Sequence, residues 1–336
     1  MLAAASISFK LPSPACNMPD TAGVPSGLVS TIIPVYNRPT VLVRAVSSVL
    51  KQTYRPIEIL IVDDGSTDTT PTVLSQLAES HPAEIRVFHQ ANAGPGAARE
   101  RGRQAAMGEF IQYLDSDDWL LPNKFADQVA ALQGHPECAI AYGTSIVCDA
   151  VGTMLENPSR RTAERIESLF PLLLVERWWH THTPLFRRWI SDAAGVWLVD
   201  RPEDWDLEAR MGILCPRLIH CGSTVSVQSH YPSPHRVSSG PSADYLCQEA
   251  SFLPRLHACA VLAGVSPESP EMQRFSRWCL FTARQLDAVG APELAEPLLK
   301  LAYFTAQRGQ VSLLLYGLAR RIPGLPRSRW LRRGLP

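Results

Sequence analysis

The chain has 336 residues, with 32 basic and 32 acidic side chains and no formal net charge. That length suits one catalytic-size domain with an appendage, and the balance argues against general affinity for nucleic acid. The eight cysteines form no disulfide framework and no zinc spacing; a chain this long builds its core without them, and reduced thiols in a cytosol fit best.

Residues 1–27, with scattered prolines and no sustained apolar run, read as a flexible leader without the apolar stretch of a signal peptide. Val29 to Arg38 is a buried-strand pattern running into a polar turn, and a helix is predicted from Thr40 to Lys51 with Val41, Leu42, Ala45, Val46 and Val49 on one face. A second strand, Ile57 to Val62, ends in Asp63-Asp64-Gly65-Ser66-Thr67-Asp68. The helix after it runs from Thr70 to Ser80, with Thr69 or Thr70 as its cap. Strands alternating with helices imply an α/β fold with a parallel sheet. In such sheets ligands bind beyond the carboxyl ends of the strands, where Tyr36, Asp63 and Asp64 would project.

The segment Asn92 to Arg99 looks superficially like a dinucleotide fingerprint, but it lies deep in the chain and lacks the third glycine, which disfavours a Rossmann dehydrogenase. Phe110 to Leu114 is an apolar strand that runs straight into Asp115, Asp117 and Asp118. Burying neighbouring carboxylates without a counterion is costly, whereas a hard divalent ion such as Mg²⁺ or Mn²⁺ takes oxygen ligands and leaves places for phosphates. A solvated Asx-type turn would account for the same three residues.

Taken together, Ile33-Pro34-Val35-Tyr36-Asn37-Arg38, Val62-Asp63-Asp64-Gly65-Ser66-Thr67-Asp68, Asn92-Ala93-Gly94-Pro95-Gly96-Ala97-Ala98-Arg99 and Leu114-Asp115-Ser116-Asp117-Asp118 with Pro122 resemble the inverting family 2 glycosyltransferases. The resemblance covers residues 28–240. It implies a Rossmann-like glycosyltransferase A-type fold with a mostly parallel sheet, and a transfer of a hexosyl group from a nucleotide-sugar donor, UDP-linked, to a hydroxyl of a glycan or glycolipid. Cell-envelope polysaccharide synthesis is the implied setting. It also implies donor contacts from Pro34, Tyr36, Asn37, Arg38, Asp63, Asp64, Arg99, Asp115 and Ser116, with the metal on Asp115 and Asp117 of the DXD motif. The residues agree: a strand-end carboxylate can accept a nucleobase N–H while an aromatic ring stacks beside it, although an Asp capping a helix and a Tyr closing the core would look the same. Arg99 would face the diphosphate, or form a surface salt bridge.

Direct attack by an acceptor hydroxyl needs a base. Leu185-Phe186-Arg187-Arg188-Trp189 through Gly195, then Arg201-Pro202-Glu203-Asp204-Trp205-Asp206-Leu207, resembles the family's strand, glycine turn and acidic helix start. The implied base is Asp204, supported by Glu203, with Asp206 in reserve; a carboxylate at a helix start is also an ordinary cap. Trp205 would line the acceptor pocket or pack in the core. His180 and His182 alternate in a possible strand and so could share a face, but the carboxylates already supply a metal site. Leu218 to Val227 is predicted as a strand, and Ser229 to Ser239 as a loop that either orders over bound donor or is an ordinary exposed loop, with His235 and Arg236 departing from the family's usual order.

Residues 241–336 read as a helical C-terminal region, Pro241 to Gly290 and Pro292 to Arg321, interrupted by Gly264, Pro267, Pro270, Gly290 and Pro292. It suits a homodimer contact or a cap on the catalytic domain. From Pro297 onward there are eight Lys or Arg and no acidic residue, interleaved with leucines and Trp330. Such a segment can lie on an anionic membrane surface and meet a lipid-linked acceptor, or be a packed appendage with a basic tail. Gln273 to Trp278 misses the processive-synthase spacing by one residue. A non-catalytic nucleotide-sugar-binding scaffold is the alternative reading, and a nucleotidyltransferase a weaker one.

Overall fold

The computed structural model describes residues 25–149, 153–200, 202–229, 243–307, 309–310 and 316–317. The strands are β1 (Val29–Val35), β2 (Ile57–Asp63), β3 (Ile85–His89), β4 (Phe110–Tyr113), β5 (Trp119–Leu120), β6 (Cys138–Cys148), β7 (Met154–Pro158), β8 (Leu185–Arg187) and β9 (Arg217–Ser229). The helices are α1 (Pro39–Leu50), α2 (Thr70–Ser80), α3 (Pro95–Ala105), α4 (Lys124–Gly134), α5 (Arg188–Ala193), α6 (Glu203–Ile213), α7 (Ala243–Leu262), α8 (Pro270–Ala288) and α9 (Pro292–Thr305).

All strands share one sheet in the order β3-β2-β1-β4-β8-β6-β9-β5, with β7 paired to β6. The β3-β2-β1-β4 half is parallel, while β8 runs antiparallel to both β4 and β6. Strands β1 and β2 are buried along their whole length, as expected of parallel strands covered on both faces. Their period-2 alternation splits the core into two layers. Ile33 and Ile59 join Leu42, Val46 and Phe125 on one face. Ile32 and Leu60 join Tyr113, Trp179, Trp197 and Leu207 on the other, and that second layer continues without a break into Phe252, Phe275 and Leu298 of α7 to α9.

Register brings the site together. Val35 pairs with Asp63 and Asp63 with His89, while Ile32 pairs with Tyr113, so β1, β2, β3 and β4 end side by side and deliver Tyr36, Asp63, His89 and Asp115 to one rim.

Three expectations need correction. Helix α2 has the predicted bounds, but neither Thr69 nor Thr70 caps it through its side chain; Asp68 Oδ1 accepts the Thr70 N–H at 2.8 Å, because an Asp reaches that amide with a shorter turn. The strand expected from Leu185 stops at Arg187 and the chain becomes helical at once, the Arg188 amide being taken by Glu109 O at 2.8 Å. His180 and His182 lie in a turn, not on one strand face, and their rings stack at 5.7 Å. The break expected around Gly264 is present and separates α7 from α8. His235, Arg236 and most of the basic C-terminal stretch lie outside the described residues.

Candidate active site

The turn after β1 is fastened to the turn after β2. Asn37, at φ 50°, accepts the Thr67 N–H on its side-chain oxygen at 2.8 Å and donates its own N–H to Ser66 Oγ at 2.9 Å. The Arg38 N–H goes to Thr70 Oγ1 at 3.0 Å. Tyr36 is left at the rim with 36 % of its surface exposed, and Pro34 is buried within β1 opposite Val62.

The adjacent carboxylates of β2 do different work. Asp64 accepts Gln90 Nε2 and the Ala93 N–H on Oδ1, at 2.8 and 2.9 Å, and the Gly94 N–H on Oδ2 at 2.8 Å. It is a clamp for the loop that opens α3. Asp63 accepts the Ser66 N–H on Oδ1 at 3.0 Å and meets His89 Nδ1 with Oδ2 at 3.0 Å.

The acidic turn after β4 carries its own countercharge. Asp115 Oδ1 accepts from Arg99 Nη2 at 2.7 Å, Asp117 pairs with Arg38, and Asp118 accepts the Ser229 N–H at 2.8 Å while its other oxygen lies 2.7 Å from His182 Nδ1. Ser116 is buried in the same turn. The charge that the sequence assigned to a metal is thus partly met by guanidiniums, which spacing could not reveal. The balance is uneven: burial opposes ionisation of Asp115, yet Arg99, aided by His182 and Arg38, holds its carboxyl below the ordinary range. Burial raises that of Asp117, the charges of Asp118 and Asp115 add to the rise, and Arg38 only partly offsets them.

Arg99 does not stand free to face a diphosphate. Its guanidinium sits over the Trp197 ring at 4.9 Å and bridges Asp115 to Glu203 Oε1 at 2.8 Å, joining the end of β4 to the start of α6. Glu203 is pushed up by burial and by neighbouring Asp204, against the pull of Arg99.

Asp204 is held through both oxygens. Oδ1 accepts the Trp205 N–H at 2.8 Å; Oδ2 pairs with Arg177 and accepts Thr181 Oγ1 at 3.3 Å. Arg177 is anchored by Glu208, one helical turn beyond Asp204, through Nε at 3.1 Å and Nη2 at 2.5 Å, and the Trp179 indole donates to Glu208 at 3.0 Å. Asp206, the reserve base, is turned away into Arg210 and Arg255 at 2.8 and 2.9 Å. Sequence reading missed Arg177, Glu208 and His89. The i, i+4 spacing of Asp204 and Glu208 was the available signal that one cation could serve both.

Among the described residues, no group of three or more His, Cys, Asp and Glu is arranged as a metal cage. The donor set at Asp115 and Asp117 nevertheless fits a hard divalent ion. It offers carboxylate oxygens, and the Asp117 carboxyl, crowded by two other acids, would regain its ionised form beside a cation.

The description "Glycosyl transferase family 2" matches residues 30–188. An uncharacterized glycosyltransferase of Nostoc is 38% identical over 146 residues, 44% of this chain and 45% of that protein. The putative glycosyltransferase EpsH of Bacillus subtilis is 41% identical over 106 residues, 32% of this chain and 30% of that protein. These matches span about half or less of the curated relatives' length. Among solved structures, residues 1–349 of S. aureus TarS in complex with UDP-GlcNAc superpose with a TM-score of 0.65 at 18% identity, covering 87% of each chain. The mannosyltransferase PcManGT of Pyrobaculum calidifontis, in complex with GDP-Man and Mn²⁺, gives 0.51 at 20% identity over 90% of this chain and 82% of its own. At those identities the likeness is one of fold, the A-type glycosyltransferase fold.

Proposed function

We propose, from the match of residues 30–188 to the family 2 glycosyl transferase description, a metal-dependent inverting glycosyltransferase that moves a sugar from a nucleotide-sugar donor to a hydroxyl of a glycan or lipid-linked acceptor. The observation that carries this reading is the Arg99 bridge, which ties the acidic turn after β4 to the Glu203-Asp204 start of α6. A donor diphosphate at the first and an acceptor hydroxyl at the second would lie on either side of the bond to be broken. TarS with UDP-GlcNAc and PcManGT with GDP-Man and Mn²⁺ have this fold, which supports a nucleotide-sugar and a divalent ion here.

In this mechanism Asp63 accepts a nucleobase N–H with the lone pairs that Ser66 and His89 leave, and the Tyr36 ring stacks beside it. Asp115 and Asp117 would hold Mg²⁺ or Mn²⁺, and such an ion would supply positive charge to a departing diphosphate. Asn37 and Arg38 fix the rim of the donor site. Asp204 takes the proton of the acceptor hydroxyl as that oxygen attacks the anomeric carbon, and one displacement with one base gives inversion. Glu203, through Arg99, sets the position of α6 relative to the acidic turn.

A thermal-shift comparison of UDP, GDP, dTDP and CDP, each with and without Mn²⁺, tests the donor site, since a ligand of the folded state raises apparent stability by mass action. A Mn²⁺-dependent shift with one nucleotide is expected, UDP first. No shift with any would defeat the donor reading. Asp204→Asn should then keep that shift and lose about 10²–10⁴-fold in transfer; unchanged turnover would remove Asp204 from the mechanism.

Among the described residues no helix is long and apolar enough to cross a membrane. The basic stretch after Pro297 is the proposed contact with anionic lipid that would bring a lipid-linked acceptor to the site.

A further inference from the structure

Two neighbouring residues in the turn before β8 face the two halves of the proposed site. Thr181 Oγ1 donates to Asp204 Oδ2 at 3.3 Å, and His182 Nδ1 lies 2.7 Å from Asp118 Oδ2, off the line of an N–H bond. One peptide unit thus spans from the start of α6 to the acidic turn after β4, alongside the bridge made by Arg99.

The turn is pinned from behind. Gln112 of β4 donates to His182 O at 3.1 Å, while Lys124 and Gln128 of α4 both donate to Thr183 O, at 2.7 and 3.0 Å, and all three donors are buried. The ring is held as well. His182 has no exposed surface, its plane stacks on His180 at 5.7 Å, and Nε2 lies 3.3 Å from Ser145 Oγ. A Ser145 hydroxyl that donates to Nε2 leaves the ring proton on Nδ1, the nitrogen beside Asp118.

Asp118 is the corner of the turn that bears Asp115 and Asp117. Its N–H closes the turn on Asp115 O at 3.1 Å, its Oδ1 accepts the Ser229 N–H at 2.8 Å, and Arg44 ties Asp117 O to Ser229 Oγ, at 3.0 and 3.2 Å. Arg99 and Arg38 meet the first two carboxylates, and His182 meets the third. Holding the Asp118 carboxylate therefore holds the backbone on which the proposed metal ligands stand, and groups behind such ligands orient them. We propose that His182 is a positioning residue of the transfer reaction, which through Asp118 sets the acidic turn relative to the base Asp204. The assignment rests on the transferase reading and adds to it what keeps the metal side and the base side in register.

Mn²⁺ titrated against the thermal shift of the full chain, at a fixed concentration of the nucleotide that gives a Mn²⁺-dependent shift, reads this link without turnover. His182→Leu and His182→Gln, whose amide reaches the place of Nε2 but not of Nδ1, should each need about tenfold more Mn²⁺ for the half-maximal shift and lose kcat by about the same factor. His182→Asn keeps an N–H donor near the place of Nδ1 and should restore most of both. Far-ultraviolet circular dichroism at wild-type strength shows which variants fold, and the Gln variant decides where the Leu variant does not. A histidine that merely fills the core would lower the unfolding temperature on substitution and leave the Mn²⁺ requirement at its wild-type value; that result in the Leu or Gln variant would overturn the proposal, as would a loss in the Asn variant equal to that in the Gln variant. Absence of a Mn²⁺-dependent shift in the wild-type chain would instead sink the transferase reading itself.

Discussion

Two buried cations show how much a single side chain can control here. Arg177, with 6% of its side chain exposed, serves both Asp204 and Glu208, the latter 5% exposed. Arg177→Met would strand the Glu208 charge, and urea unfolding should show a loss of about 3–5 kcal/mol. Adding Glu208→Leu to that variant should recover most of the stability while transfer stays low, because Asp204 would still lack its anchor. Lys124 is fully buried, donating to Gln128 Oε1 at 2.6 Å and Thr183 O at 2.7 Å with no carboxylate among these partners, and burial brings its amine down to about 7 from 10.5. The sign follows from proton counting: between those two values the unfolded chain binds the proton and the folded chain does not, so Lys124 makes stability rise with pH across that window. Stability measured from pH 7 to 10 should climb more steeply for the wild type than for Lys124→Met; parallel curves would show that the amine stays charged when folded.

At the scale of elements, α3 is fitted by its glycines. A Cβ on Gly96 would fall 1.9 Å from Leu198 O, and one on Gly102 would fall 2.4 Å from Ile32 Cγ2. The first obstacle is backbone, so Gly96→Ala should destabilise by about 1–3 kcal/mol and, by moving the helix that carries Arg99, lower transfer as well. Thermal unfolding and turnover of that variant together check it. The sequence showed these elements clearly where the signal was local. The strand that starts at Val29 and the helix from Thr70 to Ser80 appear where the sequence places them, and the strand-to-acid junctions lie at the sheet's rim. It was silent about partners made in space. Arg99 and Glu203 are 104 residues apart, Asp118 and Ser229 are 111 apart, and no spacing rule connects them. Acidic runs gave no hint of the guanidiniums beside them, because those come from other elements.

For the whole molecule, the continuity of one apolar layer from Ile32 and Tyr113 in the sheet to Phe275 and Leu298 in the last helices matters most. The C-terminal helices share a core with the sheet, so the chain should unfold in one transition, with far-ultraviolet circular dichroism and tryptophan emission tracing the same urea curve. Two separated curves would show that the helices melt on their own. The division of labour between Asp63 and Asp64 carries a different lesson, about redesign. The three donors gathered by Asp64 hold the loop into α3 in place, so a library aimed at new donors gains nothing by varying it and loses the scaffold. Asp63, His89 and Tyr36 sit at the rim on strand ends whose register is fixed behind them. On the proposed donor reading, those three positions are where a change of nucleotide preference can be sought without rewriting the architecture.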